Sequence, residues 1–264
     1  FYVWMDMPPP HELARQLLEA QATVTPIQPF SERFSGYDVE AAYRIQQALV
    51  EQKLAQGHVI IGKKIGFTSE KLRRQFNVDE PDYGVLFEDC VLMEHEPLEI
   101  DRLYRPRVEG EIAFVLKSDL DRPGITAADV VRATEGIMPA IEIVDTRFED
   151  WRVTVPDTIA DQAGNARIVL GGVMKPLADF DLRYIGLTIF KNGKLMDCAT
   201  GSTVFGNPVH AVVWLANKMY QLGSPLRKGE VIMSGSFTPV FPIDRGDYVE
   251  AIFDRLGKVT VFAR

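Results

Sequence analysis

One stretch, Arg105 to Leu116, constrains the fold more than any other part of the chain. It reads R-P-R-V-E-G-E-I-A-F-V-L, and alternate side chains of a β-strand face opposite sides of the sheet. One face then carries Ile112 and Phe114, whereas the other begins with Glu109 and Glu111 and ends in apolar residues. The stretch therefore predicts a strand with one face that changes from acidic to core-like.

The two glutamates of this strand indicate a metal site. Glu109 and Glu111 would lie about 7 Å apart on one strand face, and burial increases the cost of their mutual repulsion. A hard divalent cation between them would cancel both penalties, because Mg²⁺ and Mn²⁺ prefer carboxylate oxygens. The alternative, from this stretch alone, is an edge strand whose glutamates face water.

A third acid favours the metal interpretation. Glu142 lies between two isoleucines in an apolar segment, where an unpaired carboxylate is costly to bury. Together, Glu109, Glu111 and Glu142 would bind one divalent ion. Three carboxylates and one such ion leave the site net negative, and Lys64 is the candidate that offsets the excess charge.

Composition and charge narrow the class of protein. Of the 264 residues, 46% are hydrophobic and 25% are charged, as is ordinary for a globular protein. The net charge of −8 and the lack of a basic cluster argue against a nucleic-acid partner. No apolar run reaches the roughly 18 residues of a membrane span. Cys90 and Cys198 lie too far apart to indicate a disulfide framework, so we expect reduced thiols in a cytoplasmic protein.

The chain divides into a helical beginning and a β-rich remainder. Apolar periodicity predicts helices over His11–Ala22 and Asp38–Gln56. We therefore expect an N-terminal helical lobe over residues 1–57 and a catalytic β-rich domain over residues 58–264. Residues 1–7 are too short for a signal peptide and lack its basic start, which leaves open whether they are native.

The β-rich part contains further predicted elements. A sequence similar to a capping box, Thr126 with Asp129, predicts a helix, and the residues from Trp151 to Asn165 are expected to be irregular. Strands are predicted over Leu98–Leu103, Val108–Leu116 and Pro139–Thr146.

Five short motifs resemble those of one enzyme family. They are G-K-K-I-G-F-T-S (62–69), P-D-Y-G (81–84), P-R-V-E-G-E (106–111), P-A-I-E (139–142) and D-T-I-A-D (157–161). In this order they resemble the bacterial 2-keto-4-pentenoate hydratases. Relatives of that family are the 2-oxohept-4-ene-1,7-dioate hydratases and the 4-oxalocrotonate decarboxylases, all within the fumarylacetoacetate hydrolase superfamily. The resemblance runs from about Asp38 to the C-terminus.

The resemblance implies a fold, a cofactor and an assembly. The fold is α+β: a mixed β-sheet roll of the fumarylacetoacetate hydrolase type with an N-terminal helical lobe. The cofactor is Mg²⁺ or Mn²⁺, bound by Glu109, Glu111 and Glu142. Relatives usually assemble, so we expect a homo-oligomer that acts on a small-molecule substrate and has no nucleic-acid or membrane partner.

The resemblance also implies a reaction. Members of the family act on 2-hydroxy-2,4-dienoates, which are products of aromatic ring cleavage. We expect the dienol to ketonise and water then to add at C4, giving a 4-hydroxy-2-oxo acid. None of the four histidines falls in a matched motif, so Asp82 is the expected general acid/base. Lys64 is expected to orient the 2-oxo acid and stabilise its charge.

Each further site residue has a structural alternative. We expect Ser236, Thr238 and Asp161 to bind substrate. The structural alternative is that Ser236 and Thr238 simply end a strand and that Asp161 caps a loop. Without the resemblance, Asp82 is a turn-capping aspartate and Lys64 a solvated strand-end lysine. The family often has Asn where this chain has Gln162, so the loop after Asp161 departs in detail from the family pattern.

Three other functions compete with hydration. A 4-oxalocrotonate-type decarboxylase needs the same chelated 2-oxo acid, but such enzymes tend to carry an apolar residue at the position of Asp82. Hydrolases of the superfamily use a His–Glu pair on the segment equivalent to residues 67–76, which has no histidine here. A binding protein would use the carboxylates only structurally. Substrate length stays open, with Arg105, Arg107 and Arg152 as conceivable partners of a second carboxylate.

Overall fold

A computed structural model describes residues 7–264, apart from the side chains of Leu72, Gln75 and Phe76. Most of the segment 1–7, whose origin the sequence leaves open, lies outside this range. Within it the helices are α1 (Pro10–Thr23), α2 (Phe30–Arg33), α3 (Val39–Ala55), α4 (Glu70–Phe76), α5 (Ala127–Ala133), α6 (Val155–Ala160) and α7 (Pro208–Gln221). None of these helices is long and apolar enough to cross a membrane.

The strands form two sheets. They are β1 (Ile60–Gly66), β2 (Asp82–Phe87), β3 (Val91–Leu92), β4 (Arg107–Leu116), β5 (Thr134–Val144), β6 (Asn165–Leu170), β7 (Gly186–Lys191), β8 (Lys194–Thr200), β9 (Val231–Met233), β10 (Phe241–Pro242), β11 (Tyr248–Phe253) and β12 (Gly257–Phe262). The larger sheet has the order β2-β1-β9-β4-β5-β6-β3, with β10 paired to β4, and the smaller has the order β12-β11-β7-β8. The pairs β1–β9 and β3–β6 are parallel and the others are antiparallel. A mixed sheet with surrounding helices confirms the predicted α+β fold.

Strand β4 has the two faces that its sequence predicts. Ile112 and Phe114 lie in the main core, which the large sheet shares with the small sheet and α7. Ala113 lies on the other face, in a smaller apolar cluster with Ala140 and Met233. Glu109 and Glu111 share the face of Ala113 because they are separated from it by even numbers of residues. The acidic pair therefore lies next to an apolar cluster on one sheet face.

Two predicted elements in the β-rich part need correction. The strand predicted over Leu98–Leu103 is wrong: Leu98 makes an isolated bridge to Ala263, and Ile100–Arg102 form a short 3₁₀ turn. The segment expected to be irregular contains α6. Its first turn is held by the buried carboxylate of Asp157, which accepts hydrogen bonds from the backbone N–H and hydroxyl of Thr154. The capping box at Thr126 and Asp129 is confirmed and begins α5.

The N-terminal helices share their core with a later part of the chain. Leu13 of α1, Phe30 of α2 and Ile45 of α3 lie in one apolar cluster with Phe148 and Ile159. These contacts fix the helices on α6 and on the loop that precedes it. The division of the chain at residue 57 stays a prediction.

A buried amide also connects α3 to the large sheet. Gln46 is 2% exposed, and its Nε2 donates to the backbone oxygens of Tyr83 (2.7 Å) and Ile159 (2.9 Å). The backbone oxygen of Gln46 in turn accepts from Gln162 Nε2 at 3.4 Å. One helical residue thereby ties β2, α6 and the following loop together.

Replacing this amide should destabilise the fold. We expect Gln46→Leu, which has a similar volume, to lower the free energy of unfolding by about 1–3 kcal/mol, because two buried hydrogen bonds are lost. Urea denaturation measures the change. Gln47→Leu, at an exposed position of the same helix, is the matched control and should leave the free energy nearly unchanged. Equal effects of the two substitutions would contradict the role of the Gln46 amide.

Candidate active site

Lys64 and Asp82 meet on neighbouring strands. In the antiparallel β1–β2 pair, Lys64 is opposite Gly84 and Gly66 is opposite Asp82. A Cβ on Gly66 would lie 2.1 Å from Asp82 Oδ1. A larger residue at position 66 would therefore displace the carboxylate, so this glycine leaves the space that Asp82 occupies.

The three predicted metal ligands also meet. Glu109 on β4 is directly opposite Glu142 on β5, and Glu111 lies two residues farther along β4. One carboxylate oxygen from each lies within 4.8 Å of the others. Their exposed fractions are 7% for Glu109 and 0% for Glu111 and Glu142. The edge-strand alternative is therefore wrong, because β9 and β5 flank β4 and the glutamates do not face water.

Hydrogen bonds orient two of the acids without using all their oxygens. Glu111 Oε2 accepts from the backbone N–H of Gly235 at 2.9 Å, and Glu142 Oε1 accepts from Asn165 Nδ2 at 2.9 Å. Glu142 Oε2 lies 3.3 Å from Lys64 Nζ. Glu111 Oε1 is buried and has no hydrogen-bond partner among residues 7–264. A buried carboxylate oxygen of this kind is available to a cation.

Proton affinities in the cluster reflect the crowded charges. Burial, followed by the charge of Glu142, raises the pKa of Glu109 to about 8. The same two causes raise the pKa of Glu111 well above its ordinary value. Burial by itself lowers the pKa of Lys64, but the surrounding carboxylates, Glu142 first, outweigh it and raise that pKa, so the ammonium stays charged. Without a cation, Glu109 and Glu111 hold protons that a carboxylate in water releases.

The charges and ligand types fit one divalent ion. Three carboxylates and the Lys64 ammonium carry a formal charge of −2, which a divalent cation neutralises. The ligands are all oxygen atoms, the type that Mg²⁺ and Mn²⁺ prefer. Glu109, Glu111 and Glu142 are therefore the residues that would hold the ion.

A second contact fixes Lys64. Its Nζ donates to the backbone oxygen of Ala163 at 2.9 Å. Ala163 lies in a loop where Gln162, Ala163 and Gly164 all have positive φ (56°, 51° and 73°), a conformation that costs energy in residues with a side chain. A Cβ on Gly84 would lie 2.2 Å from the Gln162 oxygen, so this loop packs directly on β2.

The carboxylate of Asp82, unlike those of Glu111 and Glu142, is not oriented by a strong hydrogen bond. It is 2% exposed, and neither oxygen has a well-formed hydrogen bond with another described residue. Burial raises its pKa to about 6, while the Lys64 charge opposes the rise. A carboxyl group of this pKa gives and takes protons near neutral pH, as a general acid/base must.

The three predicted substrate-binding residues occupy different surroundings. Ser236 Oγ donates to the backbone oxygen of Thr238 at 2.6 Å and also lies within hydrogen-bond reach of Glu109. Thr238 Oγ1 is buried without a partner in the described part of the chain. The carboxylate of Asp161 is bonded to the backbone N–H and guanidinium of Arg147. Direct contact of these three with substrate stays a prediction.

The sequence did not point to two residues of the site. Asn165 bonds a proposed metal ligand, and the Ala163 oxygen bonds Lys64. The first contact depends on the pairing of β5 with β6, and the second on a backbone carbonyl. Neither feature has a side-chain signature that sequence reasoning could use.

Of the three conceivable partners of a second substrate carboxylate, two are already paired. Arg105 binds Asp150 at 3.0 Å, and Arg152 binds Glu149 at 3.0 Å. Arg107 has no acidic partner within residues 7–264 and lies over the ring of Trp151, 4.3 Å from its centre. It precedes Glu109 by two residues on β4, so it shares the acidic face of that strand.

Curated relatives cover nearly the whole chain. It is 40% identical over 244 residues to the TodF product hydratase of Pseudomonas putida strain F1, covering 92% of this chain and 91% of that protein. It is 37% identical over 248 residues to a 2-keto-4-pentenoate hydratase of Paraburkholderia xenovorans, covering 94% and 92%. The chain belongs to the 2-keto-4-pentenoate hydratase family. No protein-family model matches the sequence.

Solved structures agree with this family and its fold. The 4-oxalocrotonate decarboxylase of Pseudomonas putida G7, complexed with magnesium and adipate, has a TM-score of 0.93 and 30% identity, covering 97% of each chain. A fumarylpyruvate hydrolase of Pseudomonas aeruginosa, with Mn²⁺ and pyruvate, has a TM-score of 0.61 at 15% identity, covering 76% of this chain and 88% of that chain. The second likeness shows the fold of the fumarylacetoacetate hydrolase superfamily. The magnesium in the decarboxylase structure, at 30% identity, supports a divalent metal for this hydratase family member.

Metal should change how the stability of the protein depends on pH. Because the folded pKa of Glu109 is raised from 4.5 to about 8, the metal-free folded state binds more protons than the unfolded state between these pH values. Its free energy of unfolding should therefore fall as pH rises through that window. Added Mg²⁺ or Mn²⁺ should oppose the fall, by about 2.7 kcal/mol at a hundred times Kd.

Thermal melts with chelator and with metal, at pH 5 and at about pH 8, near the two ends of the window set by the pKa of Glu109, measure this effect. Glu109→Gln is the control: it should fold, and metal should raise its melting temperature much less. A metal-induced rise as large in Glu109→Gln as in the unchanged protein would contradict the assigned ligands.

Proposed function

We propose that the protein is a metal-dependent hydratase. It adds water to a 2-hydroxy-2,4-dienoate, such as 2-hydroxypenta-2,4-dienoate, and yields a 4-hydroxy-2-oxo acid in the degradation of aromatic compounds. The proposal depends on one observation: Lys64, Asp82 and three carboxylates that could hold a metal ion lie together in one buried cluster. The hydratase names of relatives at 37–40% identity support the reaction type.

The cluster is suited to a 2-oxo acid. Glu109, Glu111 and Glu142 would hold a divalent ion, which would supply a Lewis acid and a template for such a substrate. Lys64 stays charged because carboxylates surround it. Its ammonium then orients the 2-oxo acid and stabilises negative charge that develops on the C2 oxygen.

Asp82 is the proposed proton carrier in both stages. In the first, the C2 hydroxyl loses its proton and the far end of the diene gains one, giving a conjugated 2-oxo acid. In the second, the oxygen of water bonds to C4 and one proton goes to C3. The two stages add one water molecule in all. A buried carboxyl whose pKa is about 6 can accept and return each proton.

Decarboxylation is the second candidate. The solved structure with a TM-score of 0.93 is a 4-oxalocrotonate decarboxylase, and both reactions use a chelated 2-oxo acid. Asp82 favours hydration, since the family resemblance implies an apolar residue at this position in a decarboxylase.

The two reactions are separated by their substrates. The protein, loaded with Mg²⁺ or Mn²⁺, is incubated with 2-hydroxypenta-2,4-dienoate and with 4-oxalocrotonate. We expect loss of the dienoate absorbance with formation of a 4-hydroxy-2-oxo acid, and no CO₂ from 4-oxalocrotonate. Release of CO₂ from the latter without turnover of the dienoate would establish decarboxylation instead.

Removing the proton carrier should abolish most turnover. We expect Asp82→Asn to lower kcat by roughly 10²- to 10⁴-fold, the usual contribution of a placed acid/base, while metal still raises the melting temperature. Asp79→Asn, an exposed position in the preceding loop, is the matched control. A kcat for Asp82→Asn close to that of Asp79→Asn would rule out this role.

The remaining parts of the proposal concern the ion and the assembly. We propose Mg²⁺ or Mn²⁺ as the working ion, which the all-oxygen ligand set supports. We propose a homo-oligomer in the cytoplasm; the exposed apolar side chains Leu195 and Met196 on the edge strand β8 and two free cysteines support this.

A further inference from the structure

We propose that Arg147 is a positioning residue of the active site. It holds the loop from Asp161 to Asn165 in the one conformation that lets the loop bind both Lys64 and Glu142. The inference rests on the proposed function only where its test measures turnover. In the described part of the chain, the hydrogen bonds and the ion pair of the Arg147 side chain go to Asp161 and Asn165 and not to the proposed metal ligands or Lys64, so it would act through the loop.

Arg147 binds the loop at both ends. Its backbone N–H donates to Asp161 Oδ2 at 3.0 Å, and its Nε donates to Asp161 Oδ1. Its Nη2 donates to the backbone oxygen of Asp161 at 2.7 Å, and its Nη1 donates to the backbone oxygen of Asn165 at 3.1 Å. Only the planar guanidinium fork can reach a carboxylate and two carbonyls together.

The loop needs such a clamp because its backbone is strained. Gln162 and Ala163 both have positive φ, which residues with a side chain adopt only when their surroundings enforce it. Arg147 is 6% exposed and Asp161 is 3% exposed, so their ion pair lies out of water and is screened little. The pair therefore fixes the two ends between which the chain turns.

The same loop makes both contacts to the site. Its Ala163 oxygen accepts from Lys64 Nζ at 2.9 Å, and Asn165 at its end donates to Glu142 Oε1 at 2.9 Å. Loss of the clamp would release both at once. Lys64 would lose the acceptor that aims its ammonium, and Glu142 would lose the donor that orients its carboxylate towards the ion.

A cavity beside Arg147 makes the idea testable by chemical rescue. Arg147 lines a cavity of about 500 Å³, between α1, α3 and the large sheet, together with Lys53 and Arg167. If the Arg147 side chain were removed beyond Cβ, the space that its guanidinium group occupies would become part of this cavity. A free guanidinium ion could then enter and replace the missing hydrogen bonds.

The test compares Arg147→Ala and Arg147→Lys with the unchanged protein. Arg147→Lys keeps a cation beside Asp161 and so protects the fold, but it cannot reach both backbone oxygens. We expect both variants to lose about 10- to 100-fold in kcat towards the dienoate and in affinity for Mn²⁺, as loss of an orienting partner does. Low concentrations of guanidinium should partly restore the kcat and the Mn²⁺ affinity of Arg147→Ala, and urea at the same concentrations should not.

Arg167→Ala is the matched control. Arg167 lines the same cavity, and its one side-chain hydrogen bond among the described residues goes to the adjacent backbone oxygen of Ala166. We expect its kcat and Mn²⁺ affinity to be unchanged. Mn²⁺ affinity is measured by electron paramagnetic resonance, and a thermal melt checks the fold of each variant.

Two results would overturn the proposal. One is wild-type kcat and Mn²⁺ affinity in Arg147→Lys, because a purely structural ion pair is satisfied by lysine. The other is a folded Arg147→Ala whose losses guanidinium does not reverse. If the unchanged protein fails to hydrate the dienoate, the proposed function fails, but the Mn²⁺ measurements still decide the role of Arg147.

Discussion

The site depends on the repulsion between carboxylates that the sheet buries side by side. Glu109 and Glu142 are held opposite each other by the β4–β5 register, and Glu111 is fully buried next to them. The hydrogen bonds of two long, paired strands prevent the side chains from moving apart, so their charge must be compensated in place. Lys64 supplies one positive charge, and a divalent ion matches what is left.

The parts around the cluster are arranged to keep it in place. Gly66 leaves room for Asp82, and Gly84 allows the strained loop to pack on β2. The loop reaches Lys64, Arg147 holds the loop, and Gln46 ties the same region to α3. The N-terminal helices are therefore connected to the chemistry through backbone carbonyls and buried amides, although they contribute none of the proposed ligands.

Much of the fold and of the site could be predicted from the chain. The alternation in β4, the capping box at Thr126 and the helical periodicity of α1 and α3 are local patterns, and the structure follows them. The acids could be grouped because a carboxylate inside an apolar strand, such as that of Glu142, is rarely buried unless a cation or a metal ion pairs with it. Leu98–Leu103 has the apolar content of a strand but only an isolated bridge, since pairing depends on neighbours that are distant in sequence.

Contacts made by backbone atoms could not be predicted in this way. The Ala163 oxygen on Lys64 and the Gly235 N–H on Glu111 leave no trace in side-chain identity. The pairing of Arg147 with Asp161 joins residues whose separation in sequence indicates nothing about contact.

The described part of the chain also has a second group of side chains that could hold a metal ion, His58, Glu88 and Asp89. Only the structure reveals that Lys53 already binds Asp89 at 2.8 Å there.

Anomalous diffraction from crystals soaked in Mn²⁺ tests the central claim most directly. We predict one strong peak between the carboxylates of Glu109, Glu111 and Glu142, at bonding distance from an oxygen of each. A peak only at the exposed group of His58, or three carboxylates that turn to protein donors and leave no space for an ion, would contradict it.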